Sequence, residues 1–163
     1  MISHLINNDI IILPEMFSTG FTNNTENLGE PPDSETFDWM ISISEKSNSG
    51  ICGSYIVKVK NQYFNRWVFV APDKKSWHYD KRHLFRMNNV ENNFTEGSKR
   101  LVIKFRGIRI CPNICYDLRF PVWSRNRNDY DLLINSANWP QARRDVWQIL
   151  LKARAIENMS FVA

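Results

Sequence analysis

Gly107-Ile-Arg-Ile-Cys-Pro-Asn-Ile-Cys115 runs directly into Tyr116-Asp-Leu-Arg-Phe-Pro121, and the change of texture at Cys115 organises the reading of the chain. The first half is apolar and β-like. The second brings polar residues and then a proline, which fits a turn or the first turn of a helix. A cysteine at such a junction can turn its sulfur toward a cleft, and the first helical N–H groups beside it can bind an anion. Two other residues stand at boundaries of the same kind. Glu15 follows Asp9-Ile-Ile-Ile-Leu-Pro14, and Lys81 follows Trp77-His-Tyr-Asp80.

Working outward, the run 9–13 reads as a strand buried on both faces, ended by Pro14. Residues 17–32 are rich in Asn, Thr, Gly and Pro and read as loop. Asp33 or Ser34 caps a helix predicted through Lys46, with Phe37, Met40, Ile41 and Ile43 as its apolar side. Residues 51–58, around Gly53, and 63–71 form a predicted hairpin with Asn61-Gln62 as its turn. A short strand over 77–80 follows, then a polar, irregular stretch over 82–98. Strands over 101–105 and 108–115 pair around Gly107, and as members of one strand Cys111 and Cys115 are expected on the same side. A short helix is predicted over 120–127 and a strand over 130–136. A long helix over 141–158 carries Val146, Ile149, Leu150, Ala153 and Ile156 at helical spacing. Residues 159–162 are strand-like. This order predicts one domain over residues 1–163 with a mixed α/β layer architecture.

Composition narrows the function classes. Apolar residues make up 43% of the chain and aromatic residues 13%, enough for a packed core. A net charge of +4, with bases scattered among acids, argues against nucleic acid as a partner. Three cysteines without framework spacing suit a reducing compartment, so a cytoplasmic location is expected. His4, His78 and His83 have no ligand spacing with the cysteines, so no metal is expected. No apolar run approaches membrane-spanning length.

The three boundary residues make a coherent chemical set. A thiolate attacks an amide or nitrile carbon, and a carboxylate takes the thiol proton and later activates water. An ammonium and a backbone N–H stabilise the oxyanion. Cys115, Glu15 and Lys81 supply these groups, with the Tyr116 N–H as the second oxyanion donor. On this reading the ammonium also depresses the thiol pKa. Local spacing leaves a Cys–His arrangement open, with His83 as the base.

The words around these residues narrow the choice. Leu13-Pro-Glu-Met-Phe-Ser-Thr-Gly-Phe21, Tyr79-Asp-Lys-Arg-His-Leu-Phe-Arg-Met87 and Cys115-Tyr-Asp-Leu-Arg-Phe-Pro-Val-Trp-Ser-Arg-Asn126 resemble the glutamate, lysine and cysteine motifs of the nitrilase (carbon–nitrogen hydrolase) superfamily. Ala137-Asn-Trp-Pro140 and Ala153-Arg-Ala-Ile-Glu-Asn158 are further matches, and the wording is most similar to the omega-amidase-like branch. The resemblance implies an α-β-β-α sandwich of the nitrilase type. It implies Glu15 as general base, Lys81 as oxyanion stabiliser and Cys115 as nucleophile, without a cofactor. It places Arg119, Phe120, Asn138 and Trp139 near the substrate, a small ω-amide similar to 2-oxoglutaramate. It also implies a homodimer formed through segments 120–127 and 141–158.

Two departures accompany the resemblance. The family domain is longer, so the sandwich is expected to be incomplete at both ends, with unpaired strand edges. The family also carries a second glutamate seven residues before a glycine. Counting back from Gly97 reaches Val90, with Glu91 one place along as the candidate replacement. The alternatives are an inactive, truncated relative, or a nitrilase or N-carbamoyl amidase of the same superfamily.

Overall fold

The computed structural model describes residues 10–85 and 93–163. Two four-stranded sheets face each other. The first has the order β1 (Ile10–Ile12), β2 (Gly50–Val59), β3 (Gln62–Val70), β4 (Ser76–Asp80). The second has the order β5 (Ile103–Phe105), β6 (Ile108–Ile114), β7 (Leu132–Ser136), β8 (Phe161–Val162). Of the helices, α1 (Thr25–Leu28) and α3 (Pro121–Ser124) are single turns. Helices α2 (Glu35–Ser47) and α4 (Arg144–Asn158) are long and are joined to the first and second sheets respectively. This is an α-β-β-α sandwich.

Alternation along the strands explains the layering. In β2, Ile51, Tyr55 and Val57 pack with Met40 and Ile43 of α2, while Cys52 faces the other sheet. In β3, Val68 and Val70 join the helix side, and Trp67 and Phe69 join the central layer. There they meet Ile103, Phe105, Ile110, Ile114 and Ile134 of the second sheet. Both faces of β2 and β3 are therefore covered, which is why these segments lack a polar face. Ser34 caps α2 by accepting from the Phe37 N–H at 3.3 Å, and Asn48 ends it in a left-handed conformation.

Several sequence expectations are corrected. Segment 17–32 contains α1. The hairpin turn is Lys60-Asn61, since Val59 pairs with Gln62 and Lys60 takes φ 54°. Strand β1 pairs with β2 alone among the described residues, and it is not buried on both faces: Ile10 and Ile11 are partly exposed and Ile12 is 41% exposed. The helix expected over 120–127 is only Pro121–Ser124, preceded by a 3-10 turn over Cys115–Arg119. The second hairpin turns where expected, at Arg106-Gly107, both at positive φ, the pattern of a tight two-residue turn.

The correction that matters most concerns Cys115. Strand β6 ends at Ile114, and Cys115 adopts φ 46°, a left-handed value rare for a residue with a side chain. Cys111 packs with Tyr130 and Leu133 on one face of the sheet, whereas Cys115 joins the central layer on the other. The two cysteines do not share a side, because the backbone reverses the alternation at the junction.

No helix among the described residues is long and apolar enough to cross a membrane.

Candidate active site

Three separate segments deliver Glu15, Lys81 and Cys115 to one end of the sandwich. Glu15 sits on the turn after β1, which lies directly on β2. The Leu13 N–H donates to Cys52 O at 2.7 Å, and the Phe17 N–H donates to Ser54 O at 3.0 Å. Gly53 permits this approach, since a Cβ there would come within 2.7 Å of the Leu13 Cβ. The turn places Met16 at φ 49°, with its N–H donating to Ser54 Oγ at 3.0 Å. Lys81 follows β4. Its N–H donates to Asn65 O at 3.0 Å, and its carbonyl accepts from the Gly97 N–H at 2.9 Å. Gly97 is obligatory here, because a Cβ would lie 1.9 Å from Asp80 O.

The side chains converge under burial. Glu15 and Lys81 are 1% and 3% exposed. Lys81 Nζ donates to Glu15 Oε1 at 2.7 Å, and Asn65 Nδ2 donates to the same oxygen at 2.8 Å. Glu15 Oε2 accepts from the Asn138 N–H at 3.1 Å. The carbonyl of Asn138 in turn lies 3.8 Å from Cys115 Sγ, so one residue touches both the carboxylate and the thiol.

The electrostatics differ from the sequence expectation. Burial pushes the Cys115 thiol up to about 12, and the nearby Glu15 charge adds to the effect; Lys81 lowers it by less. Burial thus favours the neutral thiol over the thiolate at this position. For Lys81, burial opposes the charge, but the Glu15 carboxylate, with Asp117 adding to it, holds the ammonium above the ordinary lysine value. Lys81 stays charged.

A cavity of about 170 Å³ opens over these groups. Lys81, Cys115 and Tyr116 lie along its reactive side. Phe21, Phe85, Trp139 and Pro140 supply apolar walls, and Arg119 and Arg143 bring positive charge. The Arg119 guanidinium lies 5.2 Å from the Trp139 ring centre, and that of Arg143 lies 5.7 Å from the Phe85 ring centre. Tyr116 occupies the start of the 3-10 turn, where backbone N–H groups have no acceptor within the helix.

A family model of carbon–nitrogen hydrolases matches residues 4–163. The chain belongs to the carbon–nitrogen hydrolase family. The chain is 49% identical over 156 residues to omega-amidase YafV of Yersinia enterocolitica, which covers 95% of this chain and 60% of that protein. It is 32% identical over 161 residues to 2-oxoglutaramate amidase of Bacillus subtilis, covering 95% and 62%. A solved structure from Xanthomonas campestris, a CN-hydrolase superfamily protein with an arsenic adduct in its active site, is similar at a TM-score of 0.95 and 41% identity. That alignment covers 99% of this chain and 64% of the other. The chain thus spans about three-fifths of the length of these relatives.

Of the residues singled out from the sequence of this carbon–nitrogen hydrolase, Glu15, Lys81, Cys115, Tyr116, Arg119, Asn138 and Trp139 meet at or beside the cavity. Phe120 is not among its lining residues. Its ring stacks on His83 at 3.6 Å and lies behind Tyr116 at 5.2 Å. His83 is engaged elsewhere: its Nδ1 is 2.8 Å from Asp117 Oδ1. Val90 and Glu91 lie outside the described residues. Asn65 and Asp117 were not assigned roles from the sequence. The signal for Asn65 was a polar pair, Asn65-Arg66, set between the aromatic residues Phe64 and Trp67 of a strand. The signal for Asp117 was a carboxylate two residues past the cysteine, at the junction between an apolar run and a turn.

Proposed function

We propose that the chain carries the reaction centre of a cofactor-free amidase acting on a small ω-amide with a carboxylate at its other end, similar to 2-oxoglutaramate. The observation that carries this reading is the arrangement of donors on Glu15. Oε1 accepts from Lys81 and Asn65, while among the described residues Oε2 accepts from the Asn138 N–H alone. A carboxylate offers about four lone-pair directions, so one on Oε2 remains for a proton from the neighbouring thiol.

The steps use only the chain's own groups. Glu15 takes the proton of Cys115 as the sulfur attacks the amide carbon. The carbonyl oxygen becomes an oxyanion, met by an N–H of the Lys81 ammonium that Glu15 does not use and by the Tyr116 N–H. The acid form of Glu15 then protonates the amide nitrogen, the C–N bond breaks, and ammonia leaves a thioester. Water enters, gives a proton to Glu15 and attacks the thioester carbon. The C–S bond breaks, the proton returns to sulfur, and a carboxylic acid departs. The left-handed backbone at Cys115 supports this reading, since strained conformations concentrate at reactive positions.

Arg119 and Arg143 support the carboxylate end of the substrate. Neither has an acidic partner among the described residues, and both are held on aromatic rings at the cavity. The names of the omega-amidase and 2-oxoglutaramate amidase relatives agree with that preference. The homodimer expected from the resemblance finds support on the outer faces of α3 and α4, where Val122, Ile149 and Ile156 are 83%, 66% and 78% exposed. Sedimentation of the protein and of Ile149→Glu tests the dimer, with a shift toward monomer expected.

The test of the reaction is ammonia release from ω-amides together with mass spectrometry of trapped protein. A mass increase matching the acyl group on the Cys115 peptide is expected. Ammonia release that persists in Cys115→Ala would overturn the reading.

A further inference from the structure

Asp117 is wholly buried, and the catalytic steps above leave it no part. Its two oxygens accept four hydrogen bonds. Oδ1 takes the His83 N–H at 2.9 Å and His83 Nδ1 at 2.8 Å. Oδ2 takes the Tyr79 hydroxyl at 2.7 Å and the Ile114 N–H at 3.0 Å. Since a carboxylate only accepts, the His83 proton sits on Nδ1. The partners are distributed with a pattern. Tyr79 and His83 stand two residues before and two residues after Lys81. Ile114 and Asp117 itself stand one before and two after Cys115. The Tyr79 oxygen also accepts from the Arg82 N–H at 3.1 Å and from Trp123 Nε1 at 3.0 Å, which ties in α3.

We propose that Asp117 is a positioning residue that fixes the Lys81 ammonium against the Cys115 sulfur by clamping the segments that carry them. The inference rests on the amidase reading for its kinetic consequence but not for its structural content. Among the described residues, no other side chain makes hydrogen bonds to backbone or side-chain groups on both sides of Lys81 and to the strand end before Cys115. Strand pairing does not set this distance, because Lys81 belongs to the first sheet's end and Cys115 to the second's. The Arg154 guanidinium, which donates to Leu118 O at 3.0 and 2.7 Å, anchors the same 3-10 turn to α4 but does not reach the lysine segment.

Asp117→Asn separates this role from a general structural one. An amide in place of the carboxylate turns one acceptor into a donor, which then faces either the Ile114 N–H or the His83 N–H, and the clamp opens on that side. Removing a negative charge would by itself ease ionisation of the thiol. Withdrawing the Lys81 ammonium does the opposite, since that charge lowers the thiol pKa. The sign of the change in thiol reactivity therefore decides between the two.

The experiment is alkylation of the intact protein with iodoacetamide at a fixed, mildly alkaline pH, followed on the Cys115 peptide, alongside steady-state ammonia release and thermal unfolding. Asp117→Asn is expected to alkylate several-fold more slowly than wild type. Its kcat should fall about 100-fold with KM nearly unchanged, the loss typical of a small misplacement of reacting groups. Tyr79→Phe keeps the ring in place and removes one of the four bonds to Asp117, together with the acceptor of the Arg82 N–H and Trp123 Nε1, while the other three bonds of the clamp remain, so it should move both readouts the same way by less. It decides the matter if Asp117→Asn fails to fold. Alkylation as fast as or faster than wild type in the folded variants would overturn the proposal, whatever the melting temperature does. If wild type releases no ammonia from any amide, the amidase reading fails while the alkylation comparison still judges the clamp.

Discussion

Glu15 and Asp117 are both carboxylates sealed from water a short distance apart, yet their surroundings prepare them for different work. Glu15 has three donors, one of them an ammonium, and an open acceptor direction beside a thiol and a cavity. Asp117 has four donors, none of them a lysine or arginine, and no cavity wall. A buried carboxylate with every lone pair occupied can hold parts together but cannot take a proton without breaking a bond. One with a vacant direction can. On the proposed reading, the difference between base and clamp lies in the number and placement of donors, not in depth of burial.

Substitutions should separate the two centres by the size and kind of their effects. Cys115→Ala should have the largest effect, removing the nucleophile and lowering kcat/KM by about 10⁴-fold or more, read from ammonia release. Glu15→Gln should follow, with a loss of about 10³-fold in kcat. It should also lower stability by about 3 kcal/mol in denaturant titration, because Lys81 would be left as a buried ammonium without its counter-charge. A melting curve unchanged from wild type would show that the pair is weaker than its burial implies. The kinetic loss expected for Asp117→Asn falls below these.

Arg143→Gln should matter less, and selectively. Losing one charged hydrogen bond to the substrate's carboxylate should raise KM for ω-amides of carboxylic acids about tenfold, while a neutral amide of equal length is turned over as before. Equal losses on both substrates would remove Arg143 from the specificity account. The smallest effect is one of pH. With the thiol pushed up to about 12, alkylation of Cys115 in wild type should climb about tenfold per pH unit across the mildly alkaline range. A plateau near neutral pH would mean a thiolate at rest, with Glu15 already protonated or turned away.

Most of the layer order is legible in the sequence. The β-branched and aromatic content of β2 and β3, the Ser34 cap and the helical spacing of α4 each have a local physical cause, and each element lies where that cause places it. The exceptions also have local causes. Pro121 starts a helix of one turn because the preceding residues spend their hydrogen bonds in a 3-10 turn. The Lys60-Asn61 turn differs by one residue from the expected one, since register follows the pairing of side chains across β2 and β3. The helix α4 illustrates a further limit. Its apolar spacing was plain, but Ile149 and Ile156 point outward while Arg154 is buried. Periodicity reports a face, not what that face meets.

The sequence alone determined the chemistry available: one thiol, one ammonium and one carboxylate at strand ends, within words typical of a family. Only the tertiary structure decided their states and roles. It turned Cys115 away from the face of Cys111 through a left-handed backbone, raised the thiol pKa by burial, and left one open acceptor direction on Glu15. It also gathered around Asp117 the residues that flank Lys81 and Cys115. These properties depend on distances between groups far apart in the chain. Local patterns carry hydrophobic spacing and turn chemistry, but electrostatic environment and hydrogen-bond count arise only when the two sheets close on each other.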